Sequence, residues 1–128
     1  MAPGFVDPPI SLERKDTTMT FAELTDMLMG WPLVESSTSY GTPSFKVRGK
    51  LLTRLREDGD SLLIKGVPPE ERAMLVEAEP DLYYYTDHYR DYPMVLIRLS
   101  RADSRTVAAM VQRTYRDLLP KPRKRQLT

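Results

Sequence analysis

Residues 44–65 read SFKVRGKLLTRLREDGDSLLIK, and how this stretch pairs with itself decides the fold. Three apolar-rich runs are separated by Gly49 and by Asp58-Gly59, residue types that interrupt strands and make turns. Asp-Gly suits a two-residue hairpin turn in which both residues take positive φ. Such a turn sets Leu55 opposite Leu62 and Thr53 opposite Ile64, so Leu51, Thr53, Leu55, Leu62 and Ile64 share one sheet face. The first hairpin has two registers open to it. A two-residue turn at Arg48-Gly49 would put Phe45 on the face of Arg54. A three-residue turn centred on Gly49 puts Phe45 and Val47 with Leu51 and Leu55. The second keeps charge out of the core and is the expected register, because a one-residue slip moves every side chain to the other face.

The flanks supply helices and two further strands. Thr20 followed by Glu23 is a capping-box pattern, with Phe21, Leu24, Met27 and Leu28 as a buried face and Gly30 as the stop. Val67-Pro68-Pro69-Glu70-Glu71 opens a second helix, with proline in the first turn and acids at the positive end of the dipole; it ends before Pro80. DLYYY and MVLIRL read as strands. From about Asp103 to Leu118, the spacing of Val107, Val111, Tyr115 and Leu118 gives a buried stripe, with Arg101, Arg105, Arg113 and Arg116 largely opposite. The expected order is α-β-β-β-α-β-β-α, an α+β domain with an antiparallel sheet and helices packed on one face. One domain over 18–119 is expected, with a mobile N-terminal arm at 1–17 and a basic C-terminal tail at 120–128.

Composition narrows the chemistry. The chain has 128 residues, 41% of them apolar, and no cysteine, which removes disulfides, thiolate metal sites and cysteine nucleophiles. No signal peptide and no membrane span are read, and a cytoplasmic location is expected. The net charge of +1 conceals segregation. Residues 46–56 hold five basic and no acidic side chains, and residues 92–128 hold nine basic and two acidic. Residues 57–91 hold three basic and ten acidic.

SYGTPSF at 39–45, together with HYRDYP at 88–93 and the closing helix, resembles the MmcQ/YjbR family over roughly residues 20–119. The resemblance implies a fold like that of type III secretion chaperones, with the element order already derived. It also implies DNA binding through a double-wing motif. Many members carry Gly where this chain has Asp91.

Two candidate sites follow. For nucleic acid, Lys46, Arg48, Lys50, Arg54 and Arg56 project from one sheet face by strand alternation, with Lys65 able to join them, and Arg48-Gly49-Lys50 forms a wing-like tip. Lys121, Arg123, Lys124 and Arg125 would add non-specific attraction, whereas the acidic tip at 57–60 would repel phosphates. For a protein segment or small ligand, Tyr40 and Thr42 would face His88, Tyr89 and Arg90 across an aromatic-walled cleft, with Tyr84 and Tyr92 nearby. YYYTDHYRDYP at 83–93 holds the chain's one histidine, His88, which Asp87 or Asp91 could orient. Ser39, Thr42 or Ser44 would be the nucleophile, but no G-x-S-x-G elbow is present. One histidine with two aspartates is a poor metal set, and Gly49-Lys50 lacks the spacing of a phosphate loop. The expectation is a binding module without catalytic residues, metal or cofactor, whose partner is DNA or else a protein or small ligand.

Overall fold

The computed structural model describes residues 19–120; the expected arm at 1–17 and all but the first residue of the expected basic tail lie outside them. The chain runs α1 (Phe21–Met29), β1 (Val34–Ser39), β2 (Thr42–Val47), β3 (Lys50–Arg54), β4 (Ser61–Lys65), α2 (Pro69–Ala78), β5 (Tyr83–Tyr84), β6 (Met94–Arg98) and α3 (Ser104–Leu118). The α+β class and the antiparallel pairing are as expected. β1 is an added strand, and the six strands divide into two three-stranded sheets, β1-β2-β3 and β4-β6-β5.

The helices start where the sequence signals them. Thr20 Oγ1 accepts from the Glu23 N–H, and Glu23 accepts from the Thr20 N–H in return. Pro68 and Pro69 open α2. The Asp103 carboxylate caps α3 by accepting from the Thr106 N–H. Leu24 and Leu28 of α1 and Val107, Val111 and Tyr115 of α3 are buried against Phe45, Val47, Leu62, Ile64, Val95 and Ile97. Trp31 packs at a tilt against Tyr115 with ring centres 4.9 Å apart, and the Tyr115 hydroxyl donates to the Pro32 carbonyl. β4 and β6 are buried on both faces, which explains their unbroken apolar runs. Leu62, Ile64, Val95 and Ile97 face the main core. Leu63, Met94 and Leu96 form a second cluster on the opposite side, with Leu51, Tyr84 and Tyr89 packed against it.

The first hairpin departs from its expected register. Val47 pairs directly with Lys50, so the turn is Arg48-Gly49 alone, and both residues have positive φ, 57° and 80°. That primed turn matches the right-handed twist of the flanking strands. The feared mixing of charge into the core is avoided by a bulge: between Phe45 and Lys46 the register shifts, leaving Phe45 opposite Thr53 and Ser44 opposite Arg54. Leu52 thereby joins the main core, while Leu51 lies on the second cluster rather than with Leu55 and Leu62.

The preceding hairpin uses the same device. Tyr40 (φ 55°) and Gly41 (φ 79°) join β1 to β2, with Ser39 opposite Thr42. The third turn brings Leu55 opposite Leu62 as expected, but only Gly59 has positive φ there. The Asp58 carboxylate sets that turn instead, accepting from the N–H groups of Asp60 and Ser61 and from the Ser61 hydroxyl. Beyond Leu55 and Leu62, β3 and β4 diverge, because β4 gives its ladder to β6. The buried Thr53 hydroxyl donates to the Leu63 carbonyl and holds the two sheets together at the split.

Candidate functional site

On the side away from the main core lies an open cleft of about 590 Å³. Its floor is apolar, with Leu51 from β3, Leu63 from β4 and Met94 from β6. One wall is the β5–β6 connection, contributing His88, Tyr89, Tyr92 and Pro93; Tyr40 from the β1–β2 turn stands opposite. Arg54, Glu57, Lys65 and Gly66 complete the lining. Tyr40 is 85% exposed and Tyr92 57%, so two tyrosine rings are presented to solvent at the rim.

Arg54 joins the two sides. It is only 7% exposed. Its Nη1 donates to Thr42 Oγ1 at 3.0 Å and its Nη2 to the Tyr89 hydroxyl at 3.2 Å, while its guanidinium lies 5.1 Å from the Tyr40 ring centre. The Thr42 hydroxyl in turn donates to the Ser39 carbonyl. The Tyr89 hydroxyl accepts from Arg54, so its proton remains to be donated. No carboxylate among the described residues pairs with Arg54 within ion-pair distance. A buried guanidinium held by neutral hydroxyls has no opposite charge among the described residues to offset its own, and it lines the cleft. Lys65 donates from Nζ to the Leu51 carbonyl at 3.0 Å. Arg56 lies behind the aromatic wall, with its guanidinium 5.6 Å from the Tyr89 ring.

A second buried arginine builds the wall. Arg72, the one buried residue of α2, donates to the carbonyls of Tyr89 (3.2 Å), Tyr92 (3.0 Å), Met94 (3.2 Å) and Arg90 (2.8 Å). It also lies 3.9 Å from the Tyr85 ring centre. Backbone N–H groups already reach the carbonyls of Tyr89, Tyr92 and Pro93, so Arg72 adds a second donor at Tyr89 and Tyr92 and also meets the carbonyls of Arg90 and Met94. A 3₁₀ turn at Asp87–Tyr89 completes the connection, with Asp91 on the exposed turn that follows. His88 packs edge-on against Tyr89 at 4.8 Å. Among the described residues no three His, Cys, Asp or Glu side chains gather as a metal site.

The residues singled out in the sequence fall into three groups. Tyr40, Thr42, Tyr89 and Arg54 meet, and His88 lines the same cleft. Arg90 points away and pairs with Asp87 at 2.8 Å on the exposed surface. Lys46, Arg48, Lys50, Arg54 and Arg56 do not form one open array. Lys46, opposite Leu51, lies on the cleft side, whereas Lys50, opposite Val47, lies on the other. Arg48 at the tip donates to the Leu118 carbonyl at the end of α3. Arg56 is half-buried. Sequence reasoning missed Arg72 and the apolar floor. The signal for the floor was the doubly buried β4 and β6; for Arg72 there was none, since α2 shows no apolar stripe.

The sequence model of the YjbR family matches residues 29–117. The crystal structure of Deinococcus radiodurans protein DR2400, with family-model domain DUF419, is similar with a TM-score of 0.62 and 19% identity, over 77% of each chain. At that identity the likeness concerns the fold. No curated protein matches.

Proposed function

The chain belongs to the YjbR family, and from that premise we propose that it is a binding module whose Tyr40–Tyr89–Tyr92 cleft takes an anionic small ligand. The observation that carries this reading is Arg54: a buried cation, held from both sides by the hydroxyls of Thr42 and Tyr89, facing an aromatic cleft. An apolar floor with a few convergent polar groups is the usual make-up of a ligand site, and the cleft volume falls within the range of about 300–1,000 Å³ typical of such pockets. Among the described residues no serine, threonine or cysteine lines the cleft beside His88, and the reading is one of binding rather than turnover.

The test is amide chemical-shift mapping with a panel of small organic anions, repeated on Tyr40→Ala. Perturbations confined to residues 40–66 and 88–94, and lost in the variant, support the reading. Hits scattered over the surface, or unchanged by the variant, overturn it.

A second reading is DNA binding by the hairpin of β2 and β3. The exposed Arg48 and Lys50 at its tip, with Lys46 nearby, favour it. Phosphate neutralisation would then make affinity fall steeply with salt. Charge reversal at Lys46, Arg48 and Lys50 spares the buried Arg54. Unchanged duplex affinity in that triple variant, across two salt concentrations, would remove this alternative.

A further inference from the structure

Taking the cleft to be a ligand site, as above, we propose that the ligand it fits is a nucleoside monophosphate, with its phosphate at Arg54 and Tyr89, its base on the apolar floor beside Tyr92, and a base acceptor at Lys65. Three features of the cleft select this chemistry.

The first is the anion position. Two N–H groups of Arg54 are used on Thr42 and Tyr89, out of five that a guanidinium carries, and the Tyr89 hydroxyl retains a proton to donate. Arg54 Nη2 and the Tyr89 oxygen lie 3.2 Å apart, so the remaining donors and one buried charge stand side by side, which suits phosphate oxygens.

The second is the separation of donors. The Lys65 ammonium is fixed to the Leu51 carbonyl, three residues along β3 from Arg54, a backbone spacing of at most about 10 Å given the bulge between them. A lone phosphate is too small to bridge that length. An anion joined to a second, uncharged acceptor is required, and Lys65 has two further protons to offer it.

The third is the surface between them. Leu51, Leu63 and Met94 form an apolar strip with Tyr92 at its edge, which favours a flat, uncharged ring. Bases stack on such rings whatever their identity, each worth about 1–3 kcal/mol to alanine substitution in single-strand binders. Glu57, the one acid in the lining, disfavours a second anionic group. Together these select a phosphate, a spacer and a heteroaromatic ring bearing acceptors. The same unit occurs free and at the 5′-phosphorylated end of a single strand.

The experiment is a titration of the full chain, followed by amide shifts, with adenosine monophosphate, adenosine, inorganic phosphate and a 5′-phosphorylated dinucleotide. Adenosine monophosphate is expected to perturb residues 51, 63, 89, 92 and 94 and to bind at least about tenfold more tightly than adenosine or phosphate alone. Tyr89→Phe should weaken the monophosphate about tenfold and leave adenosine unchanged, since it removes one hydrogen bond to a charged group. Lys65→Met should weaken both compounds. Tighter binding of the dinucleotide identifies the strand end as the source, and weaker binding identifies the free nucleotide; either supports the proposal. Equal affinity for adenosine and its monophosphate overturns it, as does an unaffected Tyr89→Phe. Should aromatic carboxylates bind at Arg54 while the monophosphate does not, the nucleotide assignment fails and the cleft reading survives. Should no anion bind there, both fail.

Discussion

Replacing Arg72 by methionine tests whether a cation from α2 holds the wall of the cleft. Methionine keeps the volume of the stem and removes all the donors. The Met94 carbonyl is buried where Arg72 meets it, so its desolvation is left without compensation, at about 1–3 kcal/mol. The carbonyls of Tyr89, Arg90 and Tyr92 are only partly buried and can turn to water; each net loss is then about 0.5–1 kcal/mol. The lost contact with the Tyr85 ring adds about 1 kcal/mol. Relief of the burial of the charge offsets part of this. A net loss of about 3 kcal/mol remains, which for a domain of about 100 residues lowers Tm by roughly 12–24 °C. Arg72→Lys keeps the charge but offers a compact point donor rather than a fork, and should recover less than half of the loss. The assay is thermal denaturation paired with amide hydrogen exchange. Exchange should accelerate first at residues 85–94, because those carbonyls fix the connection, while α3 keeps its protection. A Tm drop below about 4 °C, corresponding to under 1 kcal/mol, with unchanged exchange at 85–94 would refute the assignment of Arg72 as the organising residue.

Other outcomes follow from single contacts. Gly49→Ala places a Cβ at φ 80° in the Arg48-Gly49 turn, and should cost about 1–2 kcal/mol, read as a lower denaturant midpoint. Tyr40→Ala, at an exposed rim position over the Arg54 guanidinium, should cost about 0.5–1 kcal/mol, which leaves the domain folded for use as a probe of the cleft. The Arg113 guanidinium grips both Glu71 oxygens, at 2.6 and 2.9 Å, and holds that carboxyl below the usual glutamate range, although burial opposes the shift. Burial also pushes the Asp58 carboxyl up, but the Ser61 hydroxyl, the Asp60 and Ser61 N–H groups and the Arg56 charge outweigh it and lower it. Both folded values lie below the unfolded ones, so their stabilisation is present above about pH 4–4.5 and is lost as pH falls through the folded values. Because Glu71 and Arg113 are each about a third exposed, solvent screening limits the pair to about 1 kcal/mol or less. Glu71→Gln should accordingly flatten the acid limb of a stability-against-pH curve; an unaltered limb would show the pair is inert.

The division between what the sequence determined and what the tertiary structure decided follows the range of the forces involved. Capping at Thr20, the prolines that open α2, the stripe of α3 and the apolar runs of β4 and β6 are local patterns. Their physics is complete within a few residues, and they were legible together with the α+β class and the family resemblance. β1 was not legible, because VESSTS is polar and becomes a strand only by pairing with β2. The phase of β2 against β3 was not legible either: a bulge is favoured by the core it fits, and nothing in SFKVRGKLLTR marks where it falls. The arginines show the limit most plainly. Alternation along β3 reads Arg54 as an outward charge, yet it is buried by Tyr89, 35 residues away, and Arg72 by carbonyls up to 22 residues away. Whether a cation faces solvent or holds a site together depends on distant partners that satisfy its hydrogen bonds, and only the folded chain brings those partners together.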